Sequence, residues 1–332
     1  MDQTARVAND LVSVEWSQGR WTLAWPTAAG AAVREIVTTV VVDGTATTVS
    51  ASGTASRRGA VLRVAEHRPG LELTVAARLV PGQSSVVFSL SARNTGERSI
   101  SLGEVATVHA PAASIGPAGD AEPVVYVDSG GQGGTHMAKL GAGQRTAGIC
   151  AAYNPAADLS LVCAFVSFEH DNAVTLAPRA GALELRAFST TAITLAPGDE
   201  HRWDPVLVDC RRSPFEALEE YASVVRDTVR PPIPPTMPMG WLSWYAYRLT
   251  MTEDIVLQNA AVVGRHFQKY GVTLIHPDHG WQYKDICGHW VPNEKFPHGM
   301  AWLRAELEKQ GMDLALWVAP SVVSEFAPLA QE

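Results

Sequence analysis

The six residues Arg230-Pro231-Pro232-Ile233-Pro234-Pro235 decide how this chain divides. Proline has no backbone N–H and a fixed φ, so four of them in six positions exclude a helix and favour a stiff, extended segment. The hydrophobic period differs on the two sides of this segment, which makes it a domain boundary.

Immediately upstream, Ser213-Pro214-Phe215-Glu216 is a capping box with proline at the first helical position. It opens a helix through Leu218, Tyr221 and Val225. Residues 212–235 therefore read as a linker of helix plus proline segment. Further upstream the chain reads as strand after strand. Val12, Val14 and Trp16 alternate with polar neighbours, as do Trp21, Leu23 and Trp25, and Ser17-Gln18-Gly19-Arg20 joins the two arms as a hairpin. Leu71, Leu73, Val75, Ala77 and Leu79 alternate up to a Pro81-Gly82 turn, and Val86, Phe88 and Leu90 repeat the pattern. A period of two over many short segments predicts an antiparallel β-sandwich over residues 1–211. Ser129-Gly130-Gly131-Gln132-Gly133-Gly134-Thr135-His136 reads as a surface loop. No helix long enough for a phosphate-cradling loop follows it.

Downstream the period becomes that of alternating strand and helix. Met239 to Tyr245 is an apolar strand, and Thr250-Met251-Thr252-Glu253 caps a helix with Val256, Ala260, Val263 and Phe267 on one face. Val272 to Ile275 is a second strand. A second helix carries Met300, Leu303 and Leu307 and stops at Gly311, and Leu314 to Val318 is a third strand. Near-continuous apolar strands alternating with helices predict a parallel sheet. Doubly wound sheets and barrels both begin this way, and the period does not choose between them.

Composition narrows the function. Of 332 residues, 46% are apolar and 18% charged, which is ordinary for a globular protein, and the net charge of −8 argues against a nucleic-acid or anionic-membrane partner. No apolar run approaches the ~20 residues of a membrane-spanning helix, and the N-terminus lacks the pattern of a signal peptide. Cys150, Cys163, Cys210 and Cys287 are scattered and read as thiols of a reducing compartment, so a cytoplasmic location is expected.

Parallel α/β enzymes place ligands at the C-terminal ends of their strands. Here those ends carry Trp244, Asp278, His279 and Trp317. Aromatic faces stack on the C–H face of a sugar and a carboxylate accepts from its hydroxyls, so the set fits a carbohydrate site. Each member has a structural alternative. The tryptophans could plug the sheet top, Asp278 could cap a turn, and His279 could be a hydrogen-bonded structural residue. His276 and His279 flank Asp278 with metal-type ligands, but no second cluster completes a shell, and no metal or cofactor is expected.

At these residues the sequence resembles a known family. Gly240-Trp241-Leu242-Ser243-Trp244 after its proline-rich entry, His276-Pro277-Asp278-His279-Gly280-Trp281-Gln282, Trp290-Val291-Pro292 with Lys295-Phe296-Pro297-His298-Gly299, and Gly311 to Trp317 resemble successive motifs of the α-galactosidase and raffinose-synthase clan of glycoside hydrolases. The resemblance implies that residues 236–332 begin a (β/α)₈ barrel and stop after its third strand, behind the large β-sandwich of the family's raffinose-active branch. It implies that Trp244 flanks the sugar, that Asp278 accepts from sugar hydroxyls, that Trp317 lines the pocket, and that Trp281 supports rather than touches.

Two departures stand out. The family's second acidic residue is His279 here. The resemblance also places nucleophile and acid/base beyond the third strand, the nucleophile in a Lys-x-Asp motif absent after Trp317, so no catalytic residue is assigned and Glu325 is not promoted to one. The expected function is therefore that of an α-galactosidase-type retaining glycosidase acting on α-linked glycosides, this chain being its N-terminal part and inactive alone. A galactosyl transferase of the raffinose-synthase kind and a non-catalytic carbohydrate-binding chain are the alternatives. A homo-oligomer is left open.

Overall fold

A computed structural model describes residues 4–28, 30–49, 52–117, 123–128, 135–140, 143–179 and 182–330. The chain divides into two compact units, Met1–Pro231 and Pro232–Glu332, and the division falls inside the proline run.

The first unit is built of antiparallel strands in two sheets. One runs in the order Thr4–Ala8, Ser13–Ser17, Arg20–Ala24, Ala31–Val42, Ile100–Ile115, Ala182–Ser189, Asn172–Arg179 and Gln144–Thr146. The other runs Thr135–Lys139, Val124–Asp128, Ile149–Asn154, Leu159–Phe165, Val206–Arg211, Val86–Asn94, Leu71–Leu79, Val61–Arg68 and Thr54–Arg58, with Glu200–Arg202 added beside Val86–Asn94. The alternating residues face each other across one continuous core. Trp16 and Trp21 lie directly opposite in the first hairpin, whose turn holds Gln18 and Gly19 at positive φ. Trp21 meets Phe88 of the other sheet edge to face, with centroids 5.7 Å apart. The Trp25 indole N–H donates to Ser84 O at 2.8 Å.

Leu159–Phe165 is buried at every position, so it shows no alternation. The reason is the helix Pro214–Val229, which covers the outer face of that sheet through Ala217, Tyr221 and Val224. The Tyr221 hydroxyl donates to Phe165 O at 2.6 Å, and Arg211 ties Asp209 to Glu220 of the helix. The helix begins as its sequence predicts, with Ser213 Oγ accepting from Glu216 N. It is thus part of the sandwich unit rather than of a linker. Ser129 to Gly134 lie outside the described residues, but Thr135 and His136, read as loop, open a strand paired with Val124–Asp128.

The second unit holds a three-stranded parallel sheet, Gly240–Leu242, Leu274–His276 and Asp313–Leu314, in sequence order. The helices Glu253–His266 and Gly299–Glu308 connect them. Thr252 caps the first helix, and Val256, Ala260 and Val263 are buried with Leu303 and Leu307. Phe267, placed on the same face by its spacing, is half exposed, because the helix ends at His266 and the backbone turns away. The strands are shorter than the apolar runs that encode them. Trp244 and Tyr245, read as strand, start the helical turn Trp244–Tyr247. The third strand proper is Asp313–Leu314, yet Ala315 N–H and Trp317 N–H still donate to Ile275 O and Pro277 O at 2.9 and 3.1 Å. Gly240 is required by close approach, since a Cβ there would lie 2.3 Å from Leu274 O. Among the described residues no helix is long and apolar enough to cross a membrane.

Candidate functional site

The four residues singled out by the sequence come together where the three parallel strands end. Ser243, just past the first strand, is fully buried and accepts the N–H of Asp278 on its hydroxyl at 2.9 Å. Its own N–H donates to His276 O. This pair of bonds joins the ends of the first two strands. Asp278 Oδ1 accepts the N–H of His279 at 2.7 Å, and its Oδ2 takes no hydrogen bond from the described residues. A buried carboxylate with one oxygen uncommitted can accept a ligand hydroxyl.

His279 lies between two indoles. Its ring is stacked on Trp244 at 5.7 Å and 7°, and on Trp317 at 4.6 Å and 12°. The three rings form one parallel pile. Nε2 of His279 donates to Asp285 O at 2.8 Å, which leaves Nδ1 as the acceptor of the neutral ring. Trp281 is buried and its indole N–H donates to Trp317 O at 2.9 Å, so it holds the third strand's aromatic in place.

Supporting residues that sequence reasoning did not single out hold this pile. Lys295 Nζ donates to Asp285 Oδ1 at 2.8 Å and to Leu249 O at 2.7 Å. Asn293 Nδ2 donates to Gly280 O, Gln282 O and Asp285 Oδ1. Both stand in the stretch Trp290 to Gly299, where neither spacing nor residue type marks these side chains for a role. Gly280 has φ +119, and a Cβ there would meet Leu249 Cα at 3.1 Å, so the turn after Asp278 must be glycine for the first two loops to pack. Among the described residues no group of three or more His, Cys, Asp or Glu is placed to hold a metal ion.

With this geometry in place, the chain can be compared with known proteins. No family model matches it. It is 31% identical over 97 residues to a probable α-galactosidase A of Aspergillus clavatus, covering 26% of this chain and 17% of that protein. The corresponding Aspergillus fumigatus protein is 28% identical over 92 residues. Solved structures match far more of the chain. A GH36 α-galactosidase of Geobacillus stearothermophilus aligns at TM-score 0.68 and 14% identity over 99% of this chain. An α-galactosidase of Lactobacillus brevis aligns at 0.66 and 13%, also over 99%. The chain spans 58% and 56% of those two structures. Identities this low establish the fold alone. In fold over nearly its whole length, and in sequence over a quarter of it, this chain resembles the α-galactosidases.

Proposed function

We propose that this chain is the sandwich and barrel-opening portion of a retaining glycosidase acting on α-galactosides or closely related α-linked sugars. The observation that carries the reading is the convergence of Trp244, His279 and Trp317 in one ring pile beside the uncommitted oxygen of Asp278, at the C-terminal ends of parallel strands. In α/β barrels that end is where ligands bind. Three short strands in sequence order with helices between them support an incomplete (β/α)₈ barrel. Geobacillus α-galactosidase variants of the same fold have been solved with raffinose and with stachyose, which supports a carbohydrate ligand.

In this reading Asp278 accepts sugar hydroxyls and the outer face of Trp244 or of Trp317, the inner faces being covered by His279, stacks on the sugar ring. Retention needs two carboxylates about 5 Å apart, one nucleophile and one acid/base. Both are supplied by later strands, so this chain binds without turning over. The four free cysteines support a reducing, cytoplasmic setting.

One observation favours a second reading, a non-catalytic carbohydrate-binding chain: the imidazole of His279 already fills the space between the two indoles. The test assays aryl α-galactoside hydrolysis by the complete gene product and by the 332-residue chain in parallel. Turnover by the complete product, lost about 100-fold or more in Asp278→Asn, supports the glycosidase. Sugar binding with no turnover in the complete product supports the binding chain. Turnover by the 332-residue chain alone overturns the division of labour.

A further inference from the structure

A groove lined by charged and hydroxyl side chains lies on the sandwich, away from the strand-end residues. The groove, of about 370 Å³, opens on the outer face of the second sheet, within the range of small-molecule sites. It continues into a second depression of about 190 Å³ that shares Arg63, Ala76 and Ser89 with it.

Strand register builds its floor. Leu73, Val75 and Ala77 point into the core, so Thr74, Ala76 and Arg78 point out, and Ser89 and Ser91 alternate likewise with Phe88 and Leu90. Arg63 pairs with Ala76, which pairs with Ser89, while Thr74 pairs with Ser91, which pairs with Arg202. Three hydroxyl groups, Thr74, Ser89 and Ser91, thus share this face of the sheet, with the small Ala76 between Arg63 and Ser89. Thr74, Ser89 and Ser91 have no side-chain partner among the described residues.

Charge marks one end. Arg63 lies opposite Ala76, and Arg78 lies two residues on from Ala76, so the two arginine side chains leave the sheet as diagonal neighbours on one face. Neither makes a hydrogen bond or ion pair among the described residues. Like charges at such spacing repel, and an anion between them removes the repulsion and accepts the planar forks. Arg202 is already bonded to Glu200 at 2.9 Å, and Glu169 is the exposed carboxylate on the rim.

The wall is rigid. Asp204, wholly buried, accepts from Ser167 Oγ, Glu169 N, His170 N and Nδ1, and Asn172 Nδ2, the last three at 3.0, 2.8 and 2.8 Å. Trp203 beside it lines the groove, and its buried indole N–H has no partner among the described residues.

We infer that this groove binds an anionic monosaccharide, a hexuronate or a hexose phosphate, with the anion between Arg63 and Arg78 and the sugar hydroxyls on Ser89, Thr74 and Ser91. The site is separate from the strand-end site and does not depend on its function. Isothermal titration of the 332-residue chain with galacturonate, galactose 6-phosphate, galactose and inorganic phosphate tests it. Expected is saturable binding of one of the two anionic sugars with Kd of about 1 mM or tighter, and galactose at least about tenfold weaker. Which of the two binds tells carboxylate from phosphate. Arg63→Ala and Arg78→Ala, each on the surface and checked for folding by circular dichroism, should weaken binding about tenfold, Arg63→Lys less, and Asp278→Asn not at all. No saturation by either anionic sugar overturns the inference. So does inorganic phosphate binding as tightly as the sugars, wild-type affinity in Arg63→Ala/Arg78→Ala, or loss of binding in Asp278→Asn.

Discussion

The two units solve the burial of apolar surface differently. In the sandwich each sheet covers the other, and a helix covers part of one outer face. In the α/β unit three short strands and two helices share a core of far fewer residues around Ile275, Trp281 and Phe296. Of nineteen exposed large apolar side chains among the described residues, four lie in the first unit and fifteen in the second, which is less than a third of the chain. Met237, Tyr245 and Phe326 are each more than 70% exposed. In an antiparallel sandwich each sheet covers one face of the other, whereas a parallel sheet is ordinarily covered on both faces by other elements. The proline run thus separates a unit that buries nearly all its large apolar side chains from one that leaves many of them exposed among the described residues.

Four measurements break or sharpen that contrast. The largest effect should come from the sandwich core. Trp21→Ala removes a fully buried indole against Phe88 and should cost about 3–5 kcal/mol in urea unfolding of the first unit. A loss below about 1 kcal/mol would mean that this core is loosely packed.

Next, hydrogen exchange compares the units directly. Among the described residues the Asp313–Leu314 strand pairs on one side only, with Leu274–His276, whereas Leu71–Leu79 pairs on both. Amides at 313–317 should exchange about 100-fold faster than those of Leu71–Leu79, a difference of about 2.7 kcal/mol. Equal protection in a dilute sample would make the α/β unit self-sufficient and sink the comparison.

Third, the sandwich should lose stability in mild acid. Burial holds the pKa of His201 below its ordinary value, helped by the neighbouring His170 and opposed by Asp204 and Glu169. His170 Nε2 and His201 Nε2 are 2.9 Å apart, so both cannot carry a proton there. A depressed base favours its neutral form in the fold. Its contribution is present above the ordinary histidine pKa of about 6.5 and is lost as pH falls through the lower folded value. Asp204 acts in the same sense further down. Burial raises its pKa, but the bonds from Ser167, Asn172, His170 and Glu169 outweigh this and lower it, so its contribution fades below about pH 4. The Tm of the first unit should drop between pH 7 and pH 5, and less so in His201→Asn. An identical drop in that variant would remove the histidine pair as the cause.

The smallest effect compares the two helix caps. Ser213→Ala and Thr252→Ala each remove an N-cap oxygen and should cost about 1 kcal/mol of their own unit's stability. A cost confined to Ser213→Ala would mean that the α/β unit does not unfold as one cooperative body.

Much of this was legible in the chain because it rests on short-range rules. Alternation placed Val14, Trp16, Leu73 and Phe88 in the core, turn residues placed the Gln18-Gly19 hairpin, and Ser213 and Thr252 announced their helices. Local rules failed where a distant segment intervened. Leu159–Phe165 shows no alternation because a helix fifty residues away covers its second face. Trp244 leaves the strand where Ser243 bonds to His276 O and to the Asp278 N–H, contacts more than thirty residues away. At the candidate site the identities of Trp244, Asp278, His279 and Trp317 were readable at the strand ends, but the Asp285, Asn293 and Lys295 contacts behind them were not.

By itself, the sequence determined the period of each half, the boundary between them and which residues stand at the ends of the parallel strands. These follow from side-chain spacing and backbone chemistry within a few residues. Only the tertiary structure decided that His279 stacks between two indoles, that Asp204 gathers donors from a loop over thirty residues away, and that Arg63 and Arg78 share a face with no ion pair among the described residues. Each depends on register or packing between segments far apart in the chain, and no local pattern specifies which distant residue a side chain will meet.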